Sequence, residues 1–219
     1  MIGRAIHVAV AALVVAALVV QIWIAADAPA VPAGHAVGFL AGTNFAGRLV
    51  RLFSFFTIQS NILSAVVSAQ LARNPGRDGA GWRVLRLDAL FGITVTGIVY
   101  STVLARVHEP HGWKQVSTNI VLHYVVPLAM VICWLLSGPR PRITGKVVAW
   151  ALAWPIAYFG YILAFGAGSG WYPYPFLDVT THGYGRVLLN AVLVTLVFAG
   201  VAALYAWGDR KLPARPRSS

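Results

Sequence analysis

Two pairs of polar residues sit inside apolar runs that have no need of them. Thr57 and Asn61 lie in "RLFSFFTIQSNILSAVVSAQLA" (Arg51–Ala72), and Asn119 and His123 lie in "STNIVLHYVVPLAMVICWLL". A neutral imidazole accepts a proton near neutral pH, and a threonine hydroxyl becomes a nucleophile once a base takes its proton. A fixed amide donates to a developing oxyanion, a role open to Asn61 or Asn119. Ser54, Thr57, Asn61, Ser64 and Ser68 follow spacings of three, four, three and four, which places all five on one helix face. Small hydroxyl residues on such a face also serve plain packing between membrane helices. Asn119 and His123 are four apart and stack likewise, and an ionisable residue inside a membrane run is a functional candidate by default. Pro127 has no N–H for the carbonyl of His123, so the sequence predicts a kink beside the imidazole.

The elements that must position these residues follow from composition. Of the 219 residues 58% are hydrophobic and 11% charged, and the mean hydropathy is +0.72, too little charge to cover a soluble surface. The chain reads as an all-α integral membrane bundle, a single domain over residues 1–219. Six runs reach the length of about 20 residues that a span needs, near residues 4–26, 49–72, 84–107, 116–137, 145–165 and 185–207. They are continuous rather than alternating, which argues against barrel strands. The first run followed by "AADAPA" has the outline of a signal peptide, but its apolar stretch exceeds the 7–15 residues of a signal core, so a retained helix is expected.

Charge orients the bundle. With the N-terminus inside, Arg4, Arg73, Arg77, Arg83, Arg86, Arg140, Arg142, Lys146, Arg210, Lys211, Arg215 and Arg217 face the cytoplasm, twelve of the seventeen basic residues. Arg48, Arg51, Arg106, Lys114 and Arg186 fall outside, so both termini are expected in the cytoplasm. The net charge of +11 is spread among loops in this way, which excludes a nucleic-acid surface. The outer loops then hold His35, His108, Glu109, His111, Asp178 and His182. The lone cysteine, Cys133, excludes an intramolecular disulfide.

Depth selects among the polar residues. At a rise of about 1.5 Å per residue, Thr57 lies about 12 Å and His123 about 10 Å below their helix starts, so a hydroxyl–imidazole bond is geometrically allowed in the outer half of the bilayer. Asp88 enters from the opposite end, about 20 Å from that level, and is expected to pair with Arg83, Arg86 or a neighbouring polar group. "HEPH" at 108–111 lacks the helical spacing of a metal site, and no phosphate-binding glycine loop or deep retinal-type lysine is present. Neither a metal nor another cofactor is expected.

The surroundings of Thr57, the His123 helix and above all "WYPYPFLDVTTHGYGRVLLN" resemble the androgen-induced family of six-helix membrane proteins. The resemblance runs over nearly all of the chain, and "YPFLD" (Tyr174–Asp178) after Trp171 is its most specific piece. Vertebrate members are threonine-dependent hydrolases of fatty acid esters of hydroxy fatty acids. The resemblance implies a nucleophile at Thr57, a histidine partner at His123, a lipid ester substrate among membrane lipids, and a bacterial member in the plasma membrane. The residues flanking Thr57 match loosely, and the His123–Pro127 interval is one residue shorter than the vertebrate pattern. Physically, Pro173 and Pro175 hold an extended loop whose aromatics suit the membrane interface. As a lid it would bring Tyr174 and Asp178 over the cavity, with Asp178 orienting a histidine. Two rivals use the same residues differently: a small transporter or channel, with polar groups continuing through both leaflets at Ser64, Ser68, Thr94, Thr96 and Asp88, and a non-catalytic membrane partner protein.

Overall fold

The computed structural model describes residues 2–29, 38–137 and 140–213. His35, Arg215 and Arg217 of the sequence reading lie outside the described residues. Among these residues the chain is all-helical: α1 (Ile2–Asp27), α2 (Phe45–Ser54), α3 (Phe56–Arg73), α4 (Ala80–Thr102), α5 (Gly112–Ile120), α6 (Val126–Ser137), α7 (Gly145–Ala151), α8 (Ala153–Ser169) and α9 (Val179–Lys211). Five helical stretches are long and apolar enough to cross a membrane: Gly3–Asp27, Ala80–Arg106, Gly112–Ser137, Gly145–Ser169 and Val179–Lys211. This is the build of a multi-pass membrane protein.

The second run departs from the expected single helix. It is broken at Phe55 into α2 and α3, which bend by 72° and are long and apolar enough to cross a membrane only when taken together. Phe55 is extended (φ −69°, ψ 130°). α2 carries Phe45, Val50 and Phe53 outward and turns Arg48 inward, where its guanidinium donates to the carbonyls of Ala25, Ala28 and Pro29 at the end of α1. Those carbonyls lack helical partners, and a basic side chain satisfies them. Hence α2 is anchored across the end of α1 instead of prolonging α3. Depth counted from residue 49 therefore does not apply, because Thr57 is the second residue of α3.

Lipid supplies no hydrophobic drive between helices, so close approach and shared hydrogen bonds hold them. α3 packs between α1 and α4 with Ser60, Asn61, Ser64 and Ser68 wholly buried. His7 of α1 donates from Nδ1 to Ser68 Oγ (3.2 Å), and that hydroxyl donates to Met130 Sδ (3.3 Å). At the end shared by Gly3 and Lys211, Asp209 accepts from the N–H groups of Arg142 and Ile143 and ties α9 to the start of α7. Arg83 pairs with Asp78 (2.7 Å), which corrects its expected pairing with Asp88. Asp88 Oδ1 is buried without a partner among the described residues.

Candidate functional site

The break before Thr57 frees backbone groups, and tyrosines from distant elements collect them. Ser54 closes α2 by donating from Oγ to the Val50 carbonyl (2.7 Å), so Tyr161 must donate its hydroxyl hydrogen to Ser54 Oγ (2.7 Å). Tyr158 donates to the Ser54 carbonyl (3.0 Å). On the α3 side the first N–H groups have no helical acceptor, and Phe55 offers no side-chain cap. Tyr174 supplies one: its phenol oxygen accepts from the Thr57 N–H (3.3 Å) and faces the Phe56 N–H and the Thr57 side chain. Burial pushes the Tyr174 phenol above its ordinary value of 10.0, so it stays protonated. The loop that the sequence reads as a lid thus reaches Thr57 through Tyr174.

Beside this contact lies a cavity of about 40 Å³, lined by Thr57, Thr96, Tyr158, Tyr174, Phe159 and Phe198 among others. At about 10–15 Å³ per water it has room at rest for about three waters. Phe56 forms its floor, stacked on Trp154 (4.5 Å) and edge-on to Tyr158 and Phe198.

His123 sits on a π-helical turn, Val121–Val125, between α5 and α6. The turn is the form taken by the kink expected at Pro127. Val126 N–H skips back to the Val121 carbonyl, which leaves the Leu122 carbonyl free. Asn61 answers it: Nδ2 donates to the Leu122 carbonyl (3.2 Å) and to the Thr57 carbonyl (2.8 Å). Both amide hydrogens are thereby used, so Asn61 joins the start of α3 to the π turn and has no hydrogen left for an oxyanion. Gly97 of α4 permits the approach, since a Cβ there would stand 3.0 Å from Pro127 Cβ and 3.4 Å from the His123 carbonyl.

His123 Nδ1–H donates to the Asn119 carbonyl (3.1 Å), which fixes the tautomer and leaves Nε2 as the acceptor. Its ring stacks on Tyr100 (3.9 Å), whose hydroxyl meets Nδ1 of His108 (3.2 Å). Burial lowers the His108 pKa, so that imidazole is neutral at pH 7. The Asn119 side chain lies against Tyr100, in that cluster. Thr57 and His123 make no hydrogen bond with each other. Thr57 shares its cavity with Thr96, His123 stacks on Tyr100, and these two α4 residues are one turn apart, about 6 Å along the axis. The structure brings Thr57, Asn61 and Tyr174 together and holds His123 with Asn119 in an adjoining cluster.

The chain matches no protein-family model, no curated protein and no solved structure.

Asp178 does not orient a histidine. It is the N-cap of α9, accepting from the N–H groups of Thr180 (2.9 Å) and Thr181 (3.3 Å) and from both their hydroxyls. Burial acts to raise its pKa, but these four bonds outweigh it and hold the carboxyl below the usual 3.8. Several residues escaped the sequence reading, Tyr100, Tyr161, His7 and Tyr158 among them. His7 carried the signal of an ionisable group in an apolar run. Tyr158 carried none, because its role depends on a break 104 residues away.

Proposed function

We propose that this protein is an intramembrane hydrolase of lipid esters, with Thr57 as nucleophile and His123 as general base. The observation that carries this reading is the break in the second run. It sets a threonine hydroxyl at a helix start, beside a cavity, with the N–H groups of Phe56 and Thr57 turned to one acceptor position. Such a pair, at the positive end of a helix, is an oxyanion site of the kind acyl transfer requires. The phenol oxygen of Tyr174 holds that position at rest, and the ester carbonyl takes it when the loop withdraws.

With Tyr174 withdrawn, His123 Nε2 closes on Thr57 and takes its Oγ proton as Oγ attacks the ester carbon. The carbonyl oxygen becomes the oxyanion at the two N–H groups. Collapse expels the alcohol, which receives the proton from His123. Water then attacks the acyl-threonine, His123 again takes a proton, and the acid leaves with Thr57 restored. Acyl chains enter past Phe159 and Phe176, half-buried side chains of the cavity wall. The resemblance to the androgen-induced family supports the same pair and a bacterial plasma-membrane location, and the positive-inside distribution supports six spans with cytoplasmic termini.

A second reading, a small transporter, is favoured by one observation: broken spans also line transport sites. Both are tested by purified protein supplied with a fatty acid ester of a hydroxy fatty acid. The hydrolase reading expects release of free acid by wild type and none by Thr57→Ala, with Thr57→Ser retaining part. Flux of an unmodified solute into vesicles, undiminished in Thr57→Ala, would establish the transporter instead.

A further inference from the structure

We infer that the cavity beside Thr57 is a water site, and that Thr96 positions in it the water that deacylates Thr57. This rests on the reading of Thr57 as nucleophile.

Threonines in membrane helices normally turn the hydroxyl back to the carbonyl four residues earlier, which satisfies it locally. Thr94, Thr102 and Thr195 do so, to Leu90, Ile98 and Ala191. Thr96 does not. It is 6% exposed, its Oγ1 is buried, and that oxygen has no partner among the described residues. A buried hydroxyl without a partner carries a desolvation cost, so its rotamer calls for a ligand. Thr96 lines the same cavity as Thr57, on the wall formed by α4, and the resting volume of about 40 Å³ admits waters. A water there has the hydroxyls of Thr96 and Thr57 and the phenol of Tyr158 as partners, all on helices that stay when the loop withdraws, and within the two to four that hold a buried water.

This water lies on the α4 side of Thr57, while the acceptor position at the start of α3 receives the carbonyl oxygen. It therefore stands ready to attack the acyl carbon once the alcohol has left. The step balances: water oxygen bonds to the acyl carbon, the carbon–Oγ bond of Thr57 breaks, one water proton passes to His123 and then to Thr57 Oγ, and the carboxylic acid departs. Thr96 accepts from or donates to the water and touches no reacting atom, so it is a positioning residue.

Burst kinetics with p-nitrophenyl butyrate on purified wild type, Thr96→Val and Thr96→Ser test this. Thr96→Val is expected to keep a burst of one nitrophenolate per chain, to lower the steady rate about ten- to a hundredfold, the worth of one hydrogen bond to a charge-developing group, and to accumulate acyl-Thr57 detectable by mass. Thr96→Ser, which keeps the hydroxyl, is expected to restore the steady rate to within about threefold. A water held by Thr96 also means that Thr96→Val does not raise the melting temperature. A rise would mark a dry wall relieved of an unpaired hydroxyl and overturn the inference. A wild-type steady rate in Thr96→Val, or loss of the burst in folded protein, would overturn it as well. If Thr96→Val does not fold, Thr96→Cys takes its place in the same assays. Failure of the underlying reading is separate: it shows as a burst retained by Thr57→Ala.

Discussion

Two helices begin at the same end of the molecule, α3 and α9, and their unpaired N–H groups are satisfied in opposite ways. α9 is capped from its own sequence, by Asp178 through Thr180 and Thr181. α3 has Phe55 at its cap position and takes its acceptor from Tyr174, 117 residues away. A local cap stays with its helix through any movement of the loop. A distant cap leaves when the loop leaves. Tyr174 and Asp178 belong to the one loop Trp171–Asp178, which on the proposed reading closes the start of α9 permanently and the start of α3 conditionally. On that reading the hydroxyls at the start of α9 are structural and the hydroxyl at the start of α3 does the chemistry.

The sharpest contrast between the two starts is expected from their threonines. Thr57→Ala should lower ester hydrolysis by about 10³-fold or more, as loss of a nucleophile does, while Thr180→Ala should leave turnover per folded molecule intact. Comparable losses in both would erase the distinction. His123→Ala should cost about 10²–10⁴-fold, and the double variant with Thr57→Ala should be little worse than either alone, measured as kcat/KM. Additive losses would separate His123 from the unit.

Asn61→Ala strands the buried Leu122 carbonyl and parts α3 from the π turn. Unfolding in detergent should show a loss of about 1–3 kcal/mol, against about 1 kcal/mol for removing the local cap with Asp178→Ala. Tyr174→Phe empties the conditional cap. If the phenol competes with substrate for the two N–H groups, KM should fall about two- to fivefold, because the competent state no longer has to be won from the capped one. An unchanged or raised KM would make Tyr174 a purely structural cap.

The smallest effect is in acid. The folded pKa of Asp178 lies below 3.8, so its contribution is full above that value and is lost as pH falls through the folded pKa. Amide protection at Thr180 and Thr181, relative to intrinsic exchange at each pH, should therefore fall below about pH 4, while the Thr57 amide, held by a neutral phenol, keeps its protection. A loss of protection at Thr57 in the same window would contradict the neutral cap.

Hydropathy made the spans legible, because lipid requires long apolar helices whatever their partners. The break at Phe55 was hidden for the same reason: "LFSFFTI" stays apolar across it, and what ends α2 is tertiary, Arg48 on the end of α1 and three tyrosines from α8 and the outer loop. Pro127 signalled a disturbance beside His123 but not its form, since a π turn and a simple kink both answer a missing N–H. Asp178 was misread because an acid near histidines suggested orientation, although the following Thr-Thr is the pattern of a local N-cap. The polar stripe on α3 was legible as a face. That Asn61 would be consumed by the Leu122 carbonyl was not, because that carbonyl is free only once the π turn exists.

The nucleophile itself is tested most directly by mapping a covalent adduct. Purified protein treated with a fluorophosphonate hydrolase probe, digested and sequenced by mass spectrometry, should carry the adduct on Thr57 at about one per chain, and Thr57→Ala should carry none. An adduct on another residue, or equal labelling of Thr57→Ala, would contradict Thr57 as the nucleophile.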